Sequence, residues 1–353
     1  MKLFQCQRCG QPAYFENTSC SNCKTLLGFD PIQLDLLALP EMGKEGEFID
    51  TVGNAYRYCQ NQKQEGCNWL ISQSDPSRFC RACALNRVIP DLANPAYKRR
   101  WQTIEMAKHR LIYALLRWDL PFFPRNETTG SGLGFDFKAS QNQENVLTGH
   151  ASGIITMNIA EADDVERAMA KKEMDEVYRT VLGHFRHEIG HYYWEVLVAG
   201  SEGLEEFRSL FGDERVSYAN ALKIHYQNGA PSNWQQNYIS SYASSHPWED
   251  WAETWAHYLH LVDTLETAFS FGLTINPKLE NHPAGTSTLI SEDPYLCADF
   301  SKLLHQWIPL SLALNSLNRS MGLPDSYPFV ISPVIAKKMA LVHKLIRKGA
   351  VSH

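Results

Sequence analysis

Over most of its length the chain places apolar residues three and four apart, the spacing that gives an α-helix one buried face. Between Asn94 and Trp118, the residues Trp101, Ile104, Ala107, Leu111, Leu115 and Trp118 fall on one side of a predicted helix. A second, from about Met174 to Val198, carries Val177, Val181, Leu182, Phe185, Ile189 and Trp194, with Gly200 as its stop. The acidic run from Glu161 to Asp164 leads into it and suits a helix N-terminus. Glu202–Leu210, Asp213–Asn228, Trp248–Phe271, Asp293–Met321 and Pro333–Lys348 show the same periodicity with Gly or Pro punctuation. Ser244 to Pro247 supply the third of these with a cap and first turn.

Alternation with period two is confined to short stretches: Phe135–Lys138, Asn145–Thr148 and Gly153–Asn158 read as strands. The last precedes the Met174–Val198 helix closely, which makes it the candidate edge strand for pairing with an extended substrate backbone. Gly130, Gly132 and Gly134 form a GxGxG without a strand before it or a helix after it, so it reads as a loop feeding a strand rather than a phosphate cradle. Gln33–Gly46 reads as a connector with a short apolar run, Leu34 to Leu39, ending in Pro40. The whole pattern predicts an α+β chain, mainly α, with a boundary near residue 90 between a cysteine-rich region (1–90) and one large domain (91–353).

Composition adds little to that picture except through the cysteines. A net charge of -6 and a pI near 6.1 offer no electrostatic case for nucleic-acid or membrane partners. No apolar run is long enough to span a bilayer, and Met1 to Gln5 run straight into Cys6 without the apolar core of a signal peptide, so a cytoplasmic location is expected. In such a compartment nine cysteines are metal ligands or free thiols rather than disulfides. Cys6-x2-Cys9 and Cys20-x2-Cys23 have zinc-ribbon spacing, two knuckles whose thiolates complete one tetrahedron. Cys59, Cys67 and Cys80-x2-Cys83 form a less regular, rubredoxin-like second set, although a crossed pairing of Cys6 and Cys9 with Cys80 and Cys83 satisfies the same count. Cys297 is left as a buried thiol. The region is poor in apolar residues, and metal binding is expected to supply folding energy that its core lacks.

The stretch His184-Phe185-Arg186-His187-Glu188-Ile189-Gly190-His191 contains an HExxH. On a helix His187 and His191 point the same way and can hold two corners of a metal tetrahedron, while Glu188 reaches a water beside them. A catalytic zinc takes three protein ligands and leaves one position open. The extended HExxHxxGxxH form is absent, because Trp194 and Leu197 stand where Gly and His would be. The run His246-Pro247-Trp248-Glu249-Asp250-Trp251-Ala252-Glu253 offers the alternative, with Glu249 as third ligand and Glu253, one turn on, as the acid that orients a zinc histidine. Asp250, His246 and His257 are the rival ligands, and His184 reads as an outer or core residue.

HExxH followed by a downstream Glu-x3-Glu resembles the gluzincin peptidases, whose thermolysin-like members have Glu-x3-Asp there; Glu253 is the departure. The ribbon cysteines, His184 to Trp194, His246 to His260 and Tyr327-Pro328-Phe329-Val330 together resemble a family of bacterial zinc metallopeptidases of unknown substrate. That resemblance implies a zincin-type domain and hydrolysis of peptide bonds by a zinc-activated water with Glu188 as general base. It implies one catalytic Zn2+ and a protein or peptide as substrate; the cysteine spacing adds one or two structural Zn2+, and the ribbon stays open to a protein partner, a nucleic-acid element or a capping role on the catalytic domain. A lethal-factor-like branch carries a Tyr seven residues before its ligand Glu, and Tyr242 stands at that offset from Glu249, with Tyr238 its nearest rival. Three alternatives stay open: a zinc amidohydrolase on a non-protein amide, a binding module with a degenerate site, or a structural metal with His184 or His257 as a fourth ligand.

Overall fold

A computed structural model of the chain describes residues 1–43, 46–140, 146–164, 167, 180–280 and 285–349. Two compact units result, Met1–Arg167 and Ala168–His353.

In the first unit, β1 (Phe4–Gln5) and β2 (Pro12–Ala13) pair across the first cysteine knuckle. The supposed connector contains a strand: β3 (Leu26–Asp30) and β4 (Asp35–Leu39) form an antiparallel hairpin with Leu34 in its turn, so Leu36 to Leu39 of the apolar run are the buried part of the second arm. A four-stranded antiparallel sheet follows, β5 (Glu41–Met42), β6 (Phe48–Ile49), β7 (Ala55–Tyr58) and β8 (Leu70–Ser72). After it comes α1 (Pro95–Arg117), capped by the Asn94 side chain, which accepts from the Ala96 and Tyr97 amides. The predicted face of that helix, Trp101, Ile104, Ala107, Leu111 and Leu115, is buried. Tyr113 of α1 packs on Phe15 at 5.4 Å between centroids, and Phe15 and Trp69 each lie 4.8 Å from Phe29. The cysteine-rich region therefore does have an aromatic core, one that α1 completes; counting apolar residues up to residue 90 missed it because the last contributor lies beyond that point.

The unit closes with a second sheet of β9 (Asn86–Val88), β10 (Gly134–Lys138), β11 (Gly149–Ala151) and β12 (Ile154–Asn158) in the order β11-β12-β10-β9. The GxGxG does feed a strand, since Gly134 begins β10. The proposed edge strand is not an edge: β12 runs parallel to β10 on one side and antiparallel to β11 on the other. The cause is the two-residue turn Ser152-Gly153, where φ is 47° and 79°, the primed-turn geometry that folds β11 back onto β12. A Cβ at residue 153 would also meet the Gly132 carbonyl oxygen at 2.3 Å, so glycine is required there on two counts. Of the predicted strand Asn145–Thr148, Asn145 lies outside the described residues and 146–148 are irregular; the strand begins at Gly149.

The second unit is mainly helical among its described residues, with α2 (Val181–Leu197), α3 (Leu204–Phe211), α4 (Tyr218–Asn228), α5 (Pro247–Ser270), α6 (Phe300–Ser320) and α7 (Pro333–Gly349), and one short antiparallel strand pair, Thr274–Ile275 with Thr288–Leu289. Thr180 caps α2 through its hydroxyl, which accepts from the Gly183 amide; the predicted extension back to Met174, with Val177 and most of the run after Asp164, lies outside the described residues. α5 is the central element, packed on α2, α3, α6 and α7. Tyr193 of α2 stacks on Trp255 of α5 with centroids 5.0 Å apart, and Trp251 donates its indole N–H to the Gly190 carbonyl at 2.8 Å. Buried ion pairs fasten neighbours to this core, Arg186 to Asp263 and Lys338 of α7 to Asp250.

Gly190 sits where α2 and α5 approach closest. A Cβ there would lie 3.0 Å from Ala252 Cα and 3.2 Å from Trp255 Cβ, and the obstructing atoms are backbone and the root of a packed indole. Gly190→Val is therefore expected to destabilise the protein by about 1–3 kcal/mol through overpacking. Urea unfolding checks this, and an unchanged midpoint would show that the two helices can separate freely.

Candidate metal centre

Local sequence decides which way the motif side chains of α2 face. His187 and His191 lie one turn apart with ring centroids 5.1 Å apart, and Glu188 is buried beside them. Opposite them stands the N-terminal turn of α5. His246 caps that helix, its Nδ1 accepting from the Trp248 amide at 3.1 Å, and Pro247 occupies the first helical position. This start places Glu249 and Glu253 on the face toward α2.

His187 Nε2, His191 Nε2 and a Glu249 carboxylate oxygen converge, all within 4.8 Å of one another. Glu249 is almost wholly buried, and its Oε2 lies 3.0 Å from His187 Nε2 yet has no hydrogen-bond partner among the described residues. A buried carboxylate oxygen without a donor is costly unless a cation completes it. Two nitrogens and one oxygen are a donor set suited to zinc, so the residues present fit that ion.

Glu253 accepts from His187 Nδ1 at 2.6 Å, which fixes the ring and leaves Nε2 free to face the centre. Ser240 donates to the other Glu253 oxygen at 2.6 Å. Burial disfavours charge on both His187 and Glu253, but the pair outweighs it: His187 is held well above the usual histidine range by Glu249 and Glu253, and Glu253 stays below the usual carboxylate range through His187.

The rival ligands are engaged elsewhere. His246 caps α5, Asp250 pairs with Lys338, and His257 Nδ1 lies 3.0 Å from the Tyr327 hydroxyl. His184 Nε2 lies 3.9 Å from Glu188 Oε1 and does not join the ligand group. Tyr242 stands with its ring centroid 6.1 Å from that of His187. Its rival Tyr238 instead lies under the Lys338 ammonium, 4.5 Å from its centroid. Burial first, then the Glu249 charge, push the Tyr242 phenol far up, so it is a protonated donor. Sequence reading missed Tyr218, whose hydroxyl donates to Glu249 Oε1 at 2.7 Å, and Ser240; no spacing rule links either to α5.

The eight N-terminal cysteines separate into two groups, Cys6, Cys9, Cys20 and Cys23, and Cys59, Cys67, Cys80 and Cys83, so the crossed pairing does not occur. Sulfur atoms stand 3.5 Å apart for Cys9 and Cys20 and 3.7 Å for both Cys6–Cys23 and Cys67–Cys80. These are close to the edge of about 3.8 Å that a zinc–sulfur bond of about 2.3 Å sets for a tetrahedron. Cys297 is buried alone, its thiol donating to the Asp299 carbonyl. Beside Cys83 lie Glu105 and His109 of α1, with His109 Nε2 at 3.6 Å from the sulfur and the buried Lys108 ion-paired to Glu105. Their signal in the sequence was three polar residues on an otherwise apolar helix face.

Residues 97–345 match the family model described as "Putative zinc-binding metallo-peptidase", and residues 3–94 match one described as "zinc-ribbon domain". The chain belongs to this metallo-peptidase family. Other relatives of this zinc-binding family member are uncharacterized proteins of Mycobacterium bovis and of two Mycobacterium tuberculosis strains, each 40% identical over 352 residues, covering 99% of this chain and 96% of theirs. No solved structure matches the chain. Among the described residues no helix is long and apolar enough to cross a membrane.

Proposed function

We propose that the chain is a zinc-dependent metallopeptidase whose catalytic ion is held by His187, His191 and Glu249. The observation that carries this is the buried Glu249 carboxylate set against both histidines, Oε2 3.0 Å from His187 Nε2 without a hydrogen-bond partner among the described residues and Oε1 3.6 Å from His191 Nε2, in a donor set of three rather than four. Three protein ligands leave a position for water, which speaks against a purely structural metal. Bound zinc would supply Lewis-acid activation of water and of the scissile carbonyl.

The rest is done by side chains. Glu188, next to His187 on α2, takes the proton of the attacking water on its carboxylate and returns it to the leaving amine. Glu253 keeps the Nδ1 proton of His187 in place, and Ser240 keeps Glu253 turned toward it. Tyr242, protonated and half-buried, donates its phenol O–H to the oxyanion that develops on the carbonyl. The cysteine groups hold structural zinc, and their thiols, all free of disulfides, suit a reducing cytoplasm. The substrate is a protein or peptide, and the ribbon offers a surface for a protein partner.

Zinc content before and after chelation, joined to a proteome-wide search for cleaved peptides against a Glu188→Gln control, tests the reading. Chelator-sensitive cleavage that the control lacks is expected. Turnover confined to non-protein amides would move the enzyme to an amidohydrolase role, and metal binding without any turnover would leave a binding module.

A further inference from the structure

Tyr218, the first residue of α4, lies 31 positions before the carboxylate it touches, and the two Glu249 oxygens meet different surroundings because of it. Oε1 accepts from the Tyr218 phenol at 2.7 Å and lies 3.6 Å from His191 Nε2. Oε2, 3.0 Å from His187 Nε2, has no hydrogen-bond partner among the described residues. The Tyr218 ring is braced edge-on against His246, centroids 5.1 Å apart, and lies 6.2 Å from the Trp248 ring, so it rests on the residues that start α5.

A carboxylate with two equivalent oxygens can bind an ion through both, which would fill the coordination position that catalysis needs for water. A strong hydrogen bond to one oxygen breaks that equivalence, because the pinned oxygen has one lone pair and its orientation already committed and is the weaker ligand. We infer that Tyr218 is a positioning residue: its hydroxyl holds Glu249 Oε1 so that Oε2 alone is presented to the ion and the fourth position stays open. The inference rests on the assignment of His187, His191 and Glu249 as the zinc ligands.

Tyr218→Phe keeps the ring against His246 and removes only the hydroxyl. On the full-length chain, with zinc retained at the cysteine groups, competition with a chromophoric chelator measures the zinc affinity of the central site. The variant is expected to bind about 10–100-fold more weakly, the usual effect of losing a hydrogen bond to a metal ligand. With cobalt placed at the central site and fully loaded, its visible bands should weaken as the carboxylate turns bidentate and the coordination number rises. The metal-free variant should melt somewhat earlier, through the lost hydrogen bond to a buried carboxylate, whereas the cobalt spectrum reads a change in coordination that a merely structural role would not move. Wild-type affinity and an unchanged cobalt spectrum in Tyr218→Phe would overturn the inference while leaving the ligand set intact. Retention of central metal by Glu249→Ala would overturn the ligand set itself, and the inference with it.

Discussion

Glu188→Gln is expected to leave zinc bound and to lower the rate of peptide hydrolysis by about 10²–10⁴-fold, the contribution of a positioned general base. The substitution preserves the volume of a buried side chain on the face of α2 beside His187, so α2 and its packing on α5 are undisturbed. What it removes is the ability to accept a proton from water and pass it to the leaving amine. Two of the neighbouring groups cannot take over. His187 is committed through Nδ1 to Glu253 and through Nε2 to the metal centre, and Tyr242 is held protonated by burial and by the nearby Glu249 charge. Zinc content by atomic spectroscopy should match wild type while single-turnover cleavage falls. Cleavage at the wild-type rate would mean that another group is the base.

Glu249→Ala has the opposite signature. It should lose the central zinc and keep the metal of both cysteine groups, so that total zinc falls by one equivalent. The truncation leaves two histidines and a vacated buried space, and the Tyr218 hydroxyl loses its acceptor. Wild-type protein should also gain thermal stability from zinc in this site, by about 4 kcal/mol when free zinc exceeds Kd a thousandfold, and Glu249→Ala should show none of that gain. Titration of zinc into metal-stripped protein, followed by melting, separates these outcomes. A variant that still melts later as zinc fills a third site would remove Glu249 from the ligand set.

Much of this centre was legible in one dimension, and the reason is local geometry. Positions four apart on a helix share a face whatever the rest of the chain does, so HExxH implied a pair of co-facing histidines, and Glu249 and Glu253 implied a pair of co-facing acids. Short spacing likewise made each CxxC a knuckle. The apolar period of α1 predicted its buried face correctly for the same reason. Only the fold could say that Glu253 meets His187 rather than His191, that Asp250 turns away to Lys338, and that the cysteines sort into two uncrossed groups.

The failures have one cause as well. The strand Ile154–Asn158 alternates as an edge strand would, but whether a strand is an edge depends on what pairs with it, and the return through Ser152 and Gly153 covered it. Tyr113 completes a core begun by Phe15 and Phe29, nearly a hundred residues earlier, beyond the reach of an apolar count that stops at residue 90. The sequence by itself determined the helices, the knuckles and the chemical types gathered on each. Tertiary structure alone decided which oxygen of Glu249 is pinned by Tyr218 and which is left facing His187, because that depends on contacts between elements whose separation along the chain carries no periodic signal.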